Sequence, residues 1–118
     1  MSTVSTDIIG TPNRPARASS DQAGALVYVD AVHYVPHGPI DVQQIGCDFL
    51  AWSSHKMAIP LGLGSLYARK AALEMLDHPL HGGGMYTDLF MDRECWREHP
   101  WDFTAGTPPI LNIIAFDA

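Results

Sequence analysis

Two short apolar runs in this sequence stop abruptly at residues that can do chemistry. Ala25-Leu26-Val27-Tyr28-Val29 ends in Asp30, and Phe49-Leu50-Ala51-Trp52 ends in Ser53-Ser54-His55-Lys56. Short continuous apolar runs with β-branched residues suit strands of a parallel sheet, covered on both faces. In an open parallel sheet, ligands bind beyond the carboxyl ends of the strands. If the two runs lie parallel, Asp30, Ser53, His55 and Lys56 face one crevice. A carboxylate and a primary amine then flank a single ligand, with hydroxyl and imidazole donors beside them.

Pyridoxal 5'-phosphate wants that arrangement. It needs a lysine for covalent attachment and a carboxylate to keep its pyridine nitrogen protonated. Its phosphate needs hydroxyl, imidazole and backbone N–H donors. Each side chain also has a plainer reading. A lone lysine is usually a solvated surface residue, and Asp30 can cap the turn that follows its strand. His55 can be a hydrogen-bonded structural histidine. A metal site from Asp30, His33 and His37 is not expected, because the intervening prolines spoil helical ligand spacing.

The elements that would position these residues follow an α/β pattern of strand, loop and short helix, strand. Residues 31–39 carry His33, Pro36, His37, Gly38 and Pro39 and read as loop. Asp41 caps a short helix over Val42-Gln43-Gln44-Ile45, and Gly46 stops it. Pro60-Leu61-Gly62-Leu63-Gly64 is a tight turn before a third strand, Ser65-Leu66-Tyr67-Ala68. Lys70 to Leu76 is built of strong helix formers. Earlier, Arg17 to Gln22 is a weak helix ending near Gly24. Later, Gly82-Gly83-Gly84 reads as a flexible connector rather than a phosphate cradle, because no strand–turn–helix surrounds it. His78 and His81 flank Pro79 and read as exposed loop. Residues 86–101 mix acids and aromatics without a clean period, and Asp88, Asp92, Glu94 and Glu98 read as a solvated acidic face. Thr104 to Pro109 is loop, and Ile110 to Ala118 resumes a helical pattern with Pro109 in its first turn.

Composition narrows the function classes. The chain has 118 residues, 47% of them apolar, which fits one small domain or a piece of a larger one. With 7 basic against 13 acidic residues the net charge is -6, which argues against non-specific nucleic-acid binding. No stretch approaches the roughly 20 apolar residues of a membrane span. The N-terminus lacks the basic flank and apolar block of a signal peptide. Two cysteines, Cys47 and Cys95, make neither a disulfide framework nor a zinc set, so a reducing, cytoplasmic setting is expected.

Five segments then resemble, in order, the class V aminotransferase family. They are Tyr28-Val29-Asp30-Ala31-Val32-His33, Gly46-Cys47-Asp48-Phe49, Ser53-Ser54-His55-Lys56, Pro60-Leu61-Gly62-Leu63-Gly64 and Ala105-Gly106-Thr107-Pro108. The subgroup it looks most like is the cysteine desulfurases and selenocysteine lyases. The resemblance implies the large domain of the aspartate-aminotransferase-like, pyridoxal-phosphate-dependent fold, a mostly parallel sheet with flanking helices. It implies that Lys56 binds the cofactor covalently and moves protons at the substrate carbon. Asp30 would pair with the pyridine nitrogen, and Ser53 and His55 would hold the phosphate. His33 stands where many relatives carry a glutamine that bonds the ring hydroxyl, and imidazole can supply a similar bond. Thr107 would reach the phosphate of a neighbouring subunit, which implies a homodimer.

The chain also departs from the pattern. Asp7 lies where relatives often have asparagine, and Ile59 replaces a usual glycine before Pro60. Full members are several times longer. The expectation is therefore one partial domain over residues 1–118, lacking the family's N-terminal part and its C-terminal small domain. Neither Cys47, expected as a small buried hydrophobe, nor Cys95 maps to the sulfur-accepting cysteine. The implied function is cleavage of the C–S or C–Se bond of a cysteine-type amino acid, with a sulfur-acceptor protein as a partner. The rival reading is a non-catalytic remnant or interaction module, since a partial sheet leaves strand edges open to association.

Overall fold

The computed structural model describes Val4–Ser5, residues 24–59 and residues 62–117. The expected helix over 17–22 lies outside these residues, as do Asp7 and two members of the 60–64 turn, Pro60 and Leu61. The chain divides into two units, Met1–Met75 and Leu76–Ala118.

In the first unit the strands are β1 (Val4–Ser5), β2 (Val27–Asp30), β3 (Phe49–Ser53) and β4 (Gly64–Ala68). They form one sheet in the order β1-β2-β3-β4. β1 runs parallel to β2 and β2 parallel to β3, while β4 returns antiparallel to β3. The α/β reading and the parallel β2–β3 pair hold. The third predicted strand reverses direction, because the short 58–63 connection leaves no room for the crossover a parallel partner requires. β1 fell in a stretch with no periodicity and was not expected.

β2 and β3 are in register with Tyr28 opposite Phe49, Val29 opposite Leu50 and Asp30 opposite Ala51. Val27, Val29, Ala31, Cys47 and Leu50 form the buried core, with Val35, Ile40, Val42, Ile45, Trp52 and Tyr67 packed on it. β2 was expected to be covered on both faces. Instead Val27 and Val29 are buried while Tyr28 is 38% exposed, so the described residues cover one face only.

The connection between β2 and β3 carries a 3-10 turn, Val35–His37, and helix α1, Val42–Ile45. Asp41 caps α1 as expected: its Oδ1 accepts from the N–H groups of Gln43 and Gln44 at 2.9 and 3.0 Å. Gly46 ends the helix in the left-handed region with φ 69°, a conformation that favours glycine. Replacing Asp41 by alanine orphans both donors and should cost about 1 kcal/mol in urea unfolding. A change of a few tenths would show that solvent satisfies them equally well.

Helix α2 covers only Lys70–Leu73. The expected helix to Leu76 is cut short because α2 buries just Ala72. High propensity without a packed face does not sustain a longer helix in water.

The second unit contains a two-stranded antiparallel sheet, β5 (Tyr86–Leu89) and β6 (Glu94–Trp96), and helix α3, Ile110–Asp117. α3 starts at the predicted place, with Pro109 accepting from Asn112 and Ile113. His78 is not exposed loop. Its ring stacks on Trp96 at 3.8 Å and 7°, and its Nε2 lies 2.9 Å from the buried Asp102 carboxylate. The His81 ring is exposed, and its Nδ1 lies 2.8 Å from the Tyr86 hydroxyl. Asp88, Asp92, Glu94 and Glu98 are exposed, as expected of a solvated face.

Candidate functional site

The parallel pairing of β2 and β3 brings Asp30 and the Ser53–Lys56 segment to the same sheet edge. The backbone confirms the alignment, since the Ala31 N–H donates to the Ala51 carbonyl at 2.8 Å. Past β2 the chain turns sharply: the N–H groups of Tyr34 and Val35 both donate to the Ala31 carbonyl at 3.0 Å. The Val32 N–H donates to Asp30 Oδ1 at 3.0 Å, so the turn-capping contact weighed for Asp30 is present. This tight turn aims His33 across to the next strand's exit.

Past β3, residues Ser54–Met57 form a 3-10 turn capped by Ser53, whose Oγ accepts from the His55 N–H at 3.4 Å. The turn ends at Ala58 with φ 62°. A left-handed conformation at a residue with a Cβ is a strained feature, and such features gather at functional sites. The cofactor-lysine candidate therefore sits on a tightly wound, strained turn rather than on a loose loop.

Two of the expected residues meet directly. Lys56 Nζ approaches His33 Nε2 at 2.8 Å and Nδ1 at 3.1 Å. Such similar distances to both ring nitrogens put Nζ over the face of the imidazole, not in line with either nitrogen's lone pair. Lys56 and His33 are both exposed. Thr107 belongs to the second unit, where it is exposed in the 104–109 loop. That loop is anchored from behind. The Gly106 N–H donates to the Gly83 carbonyl at 2.8 Å, and a Cβ on Gly82 would meet Ala105 and the Gly106 nitrogen at 3.1 Å. At Gly82 the triple glycine is therefore packed rather than a free connector: a side chain there would press on Ala105 and the Gly106 nitrogen.

Sequence reasoning passed over two residues that hold the site edge in place. Ser54 is fully buried, and its Oγ accepts from the Leu63 N–H at 2.8 Å while its own N–H donates to the Leu63 carbonyl at 2.9 Å. This pair of hydrogen bonds between the turn and Leu63, the residue before β4, fixes where His55 and Lys56 emerge. The signal was the second serine in Ser53-Ser54, a small polar residue at a buried position. Asp48, 3% exposed, does the corresponding work at the far end of the strands. Its Oδ2 accepts from the Val27 N–H at 2.9 Å, and its Oδ1 pairs with Arg69 Nη2 at 2.6 Å and Nε at 2.7 Å.

Cys47 is buried as expected, and desolvation raises its thiol pKa above the ordinary value. A thiol so placed is a poor nucleophile. Among the described residues no group of three or more His, Cys, Asp or Glu side chains could hold a metal ion. No helix among them is long and apolar enough to cross a membrane.

The fold and this edge define a class: an α/β domain that gathers a carboxylate, an imidazole pair, a hydroxyl and an amine where parallel strands end. The chain belongs to the aminotransferase class-V family, whose model matches residues 5–118. It is 39% identical to the cysteine desulfurase of Haloferax volcanii over 113 residues, covering 93% of this chain and 26% of that protein. It is 41% identical to the cysteine desulfurase of Klebsiella pneumoniae over 116 residues, covering 95% of this chain and 28% of that one. Among solved structures it resembles the cysteine desulfurase CsdA (S-sulfonic acid) from Escherichia coli. The TM-score is 0.81 at 36% identity, over 91% of this chain and 27% of that one. The chain thus spans about a quarter of the length of the curated relatives it matches. The family resemblance read from five short segments stands.

Proposed function

We propose that this chain carries the lysine-bearing part of a pyridoxal-phosphate-dependent cysteine desulfurase, acting on the C–S or C–Se bond of a cysteine-type amino acid. The observation that supports this most directly is the shared carboxyl edge of β2 and β3. There Asp30, His33, Ser53, His55 and Lys56 supply the donor and acceptor types the cofactor requires. The relatives' names point to the same reaction class.

The residues present fit the group. When bound, the cofactor supplies an electron sink at the substrate carbon. Lys56 would hold it through Nζ and afterwards carry a proton to or from that carbon. Asp30, at the strand end, would accept the pyridinium N–H. The Ser53 hydroxyl keeps its own proton to donate while it caps the turn, and the His55 ring is exposed to donate beside it; both suit the phosphate. Thr107 is read as a phosphate donor to a neighbouring subunit, hence a homodimer. A sulfur-acceptor protein is the expected partner, and a reducing cytoplasm the expected setting, consistent with two unpaired cysteines.

Titration of the chain with pyridoxal 5'-phosphate should produce a visible absorption band. Borohydride should then fix the cofactor's mass on the peptide that contains Lys56. Lys56→Ala should abolish both signals while leaving the folded far-ultraviolet spectrum unchanged. A wild-type chain that folds and takes up no cofactor would instead be the non-catalytic remnant.

A further inference from the structure

We propose that His33 is a positioning residue for Lys56, holding the amine at the exit of β2 and β3 before any cofactor arrives. This rests on the reading of Lys56 as the cofactor lysine, and it gives His33 a task other than a bond to the cofactor's ring hydroxyl. The observation is the approach of Lys56 Nζ to His33 Nε2 at 2.8 Å, between side chains far apart in sequence.

Both ends of the contact are set by backbone. His33 stands on a turn closed by two N–H groups on the Ala31 carbonyl and by Asp30 Oδ1. Lys56 stands on a 3-10 turn clamped through Ser54 to Leu63. A lysine carries four rotatable bonds and is otherwise free to leave the crevice, since it is exposed. The imidazole is held under the amine, with both ring nitrogens within 3.1 Å of Nζ, and its electron-rich face attracts a cation. It selects the rotamers that keep Nζ over the strand ends, so capture of an aldehyde begins from a positioned amine rather than from a search. An amide oxygen can attract the amine from the same place by accepting from it; an aliphatic side chain cannot.

Two measurements on the full chain test this. The first uses no cofactor. In a spectrum of the imidazole nitrogens at about pH 8, where free imidazole is neutral, Lys56→Met should move the His33 signals and leave those of His78, in the other unit, in place. Unmoved His33 signals would overturn the proposal. The second compares rates of pyridoxal 5'-phosphate capture. His33→Leu should slow capture about tenfold, the worth of one hydrogen bond to a charged group, and His33→Gln should restore it to within about twofold. Equal losses in both variants, or none in either, would overturn it. If His33→Leu fails to fold, the imidazole measurement decides alone. A failure of the cofactor reading is separable: it shows as a folded wild-type chain that takes up no cofactor, or as cofactor retained by Lys56→Ala, with the His33 signals still sensitive to Lys56.

Discussion

Asp48→Ala should lower the unfolding free energy by about 3–5 kcal/mol, the usual cost of removing one partner from a buried ion pair. Three donor nitrogens lose their acceptor at once: the Val27 backbone nitrogen and, on the Arg69 guanidinium, Nη2 and Nε. The backbone of the same residue already ties three strands, since the Asp48 N–H donates to Val27 and its carbonyl accepts from Arg69. The side chain thus locks the start of β2, the start of β3 and the end of β4 to one another. That lock also sets the register placing Asp30 opposite Ala51, so it reaches the candidate site through the strands. Urea unfolding should show the midpoint falling at unchanged slope. Arg69→Met alone should also destabilise, because it removes the cation beside a buried carboxylate. Combined with Asp48→Leu it should recover much of the loss, since a pair replaced by apolar groups leaves no charge uncompensated. A cost below about 1 kcal/mol for Asp48→Ala would mean that water reaches the pair and screens it.

The parts of this fold that the sequence made legible are those governed by short-range chemistry. Asp41 and Gly46 announce α1 because capping and the left-handed stop act within a few residues. Asp30 and Lys56 announce the strand exits because each ends an apolar run. What stayed hidden is non-local. Nothing near His78 reveals that its partner is Asp102, so a histidine beside a proline reads as loop. The β5–β6 hairpin escaped because Thr87, Asp88 and Leu89 are all exposed, leaving no alternation of apolar and polar positions to detect. Asp48 was visible as a letter in a family segment, but its work depends on Arg69 and Val27. The triple glycine looked mobile because glycine signals both flexibility and close packing, and only the position of the 105–106 backbone distinguishes them.

The buried Asp102 should make the second unit sensitive to acid. It is 2% exposed, and both His78 Nε2 at 2.9 Å and His99 Nδ1 at 2.7 Å approach its Oδ2. Burial by itself pushes the carboxyl pKa up. The hydrogen bonds from His78 and His99, the His99 charge and a backbone bond outweigh that and hold it below the ordinary carboxylate value. A carboxyl with a depressed folded-state pKa contributes stability that is complete above its unfolded value, about 3.9. That contribution is lost as the pH falls from there through the folded value. Unfolding free energy should therefore drop on acidification below about pH 4, beyond what a general charge effect produces. Asp102→Asn should remove this component and flatten the acid limb. At neutral pH, Asp102→Ala should cost about 2–3 kcal/mol, less than Asp48→Ala because the His99 side chain is 36% exposed. The loss should come with release of His78 from Trp96, seen as a change in tryptophan fluorescence, since the ring stacks at 3.8 Å only while Asp102 holds its far edge. An Asp102→Asn variant with an unchanged acid limb would show that this carboxylate does not set the acid response.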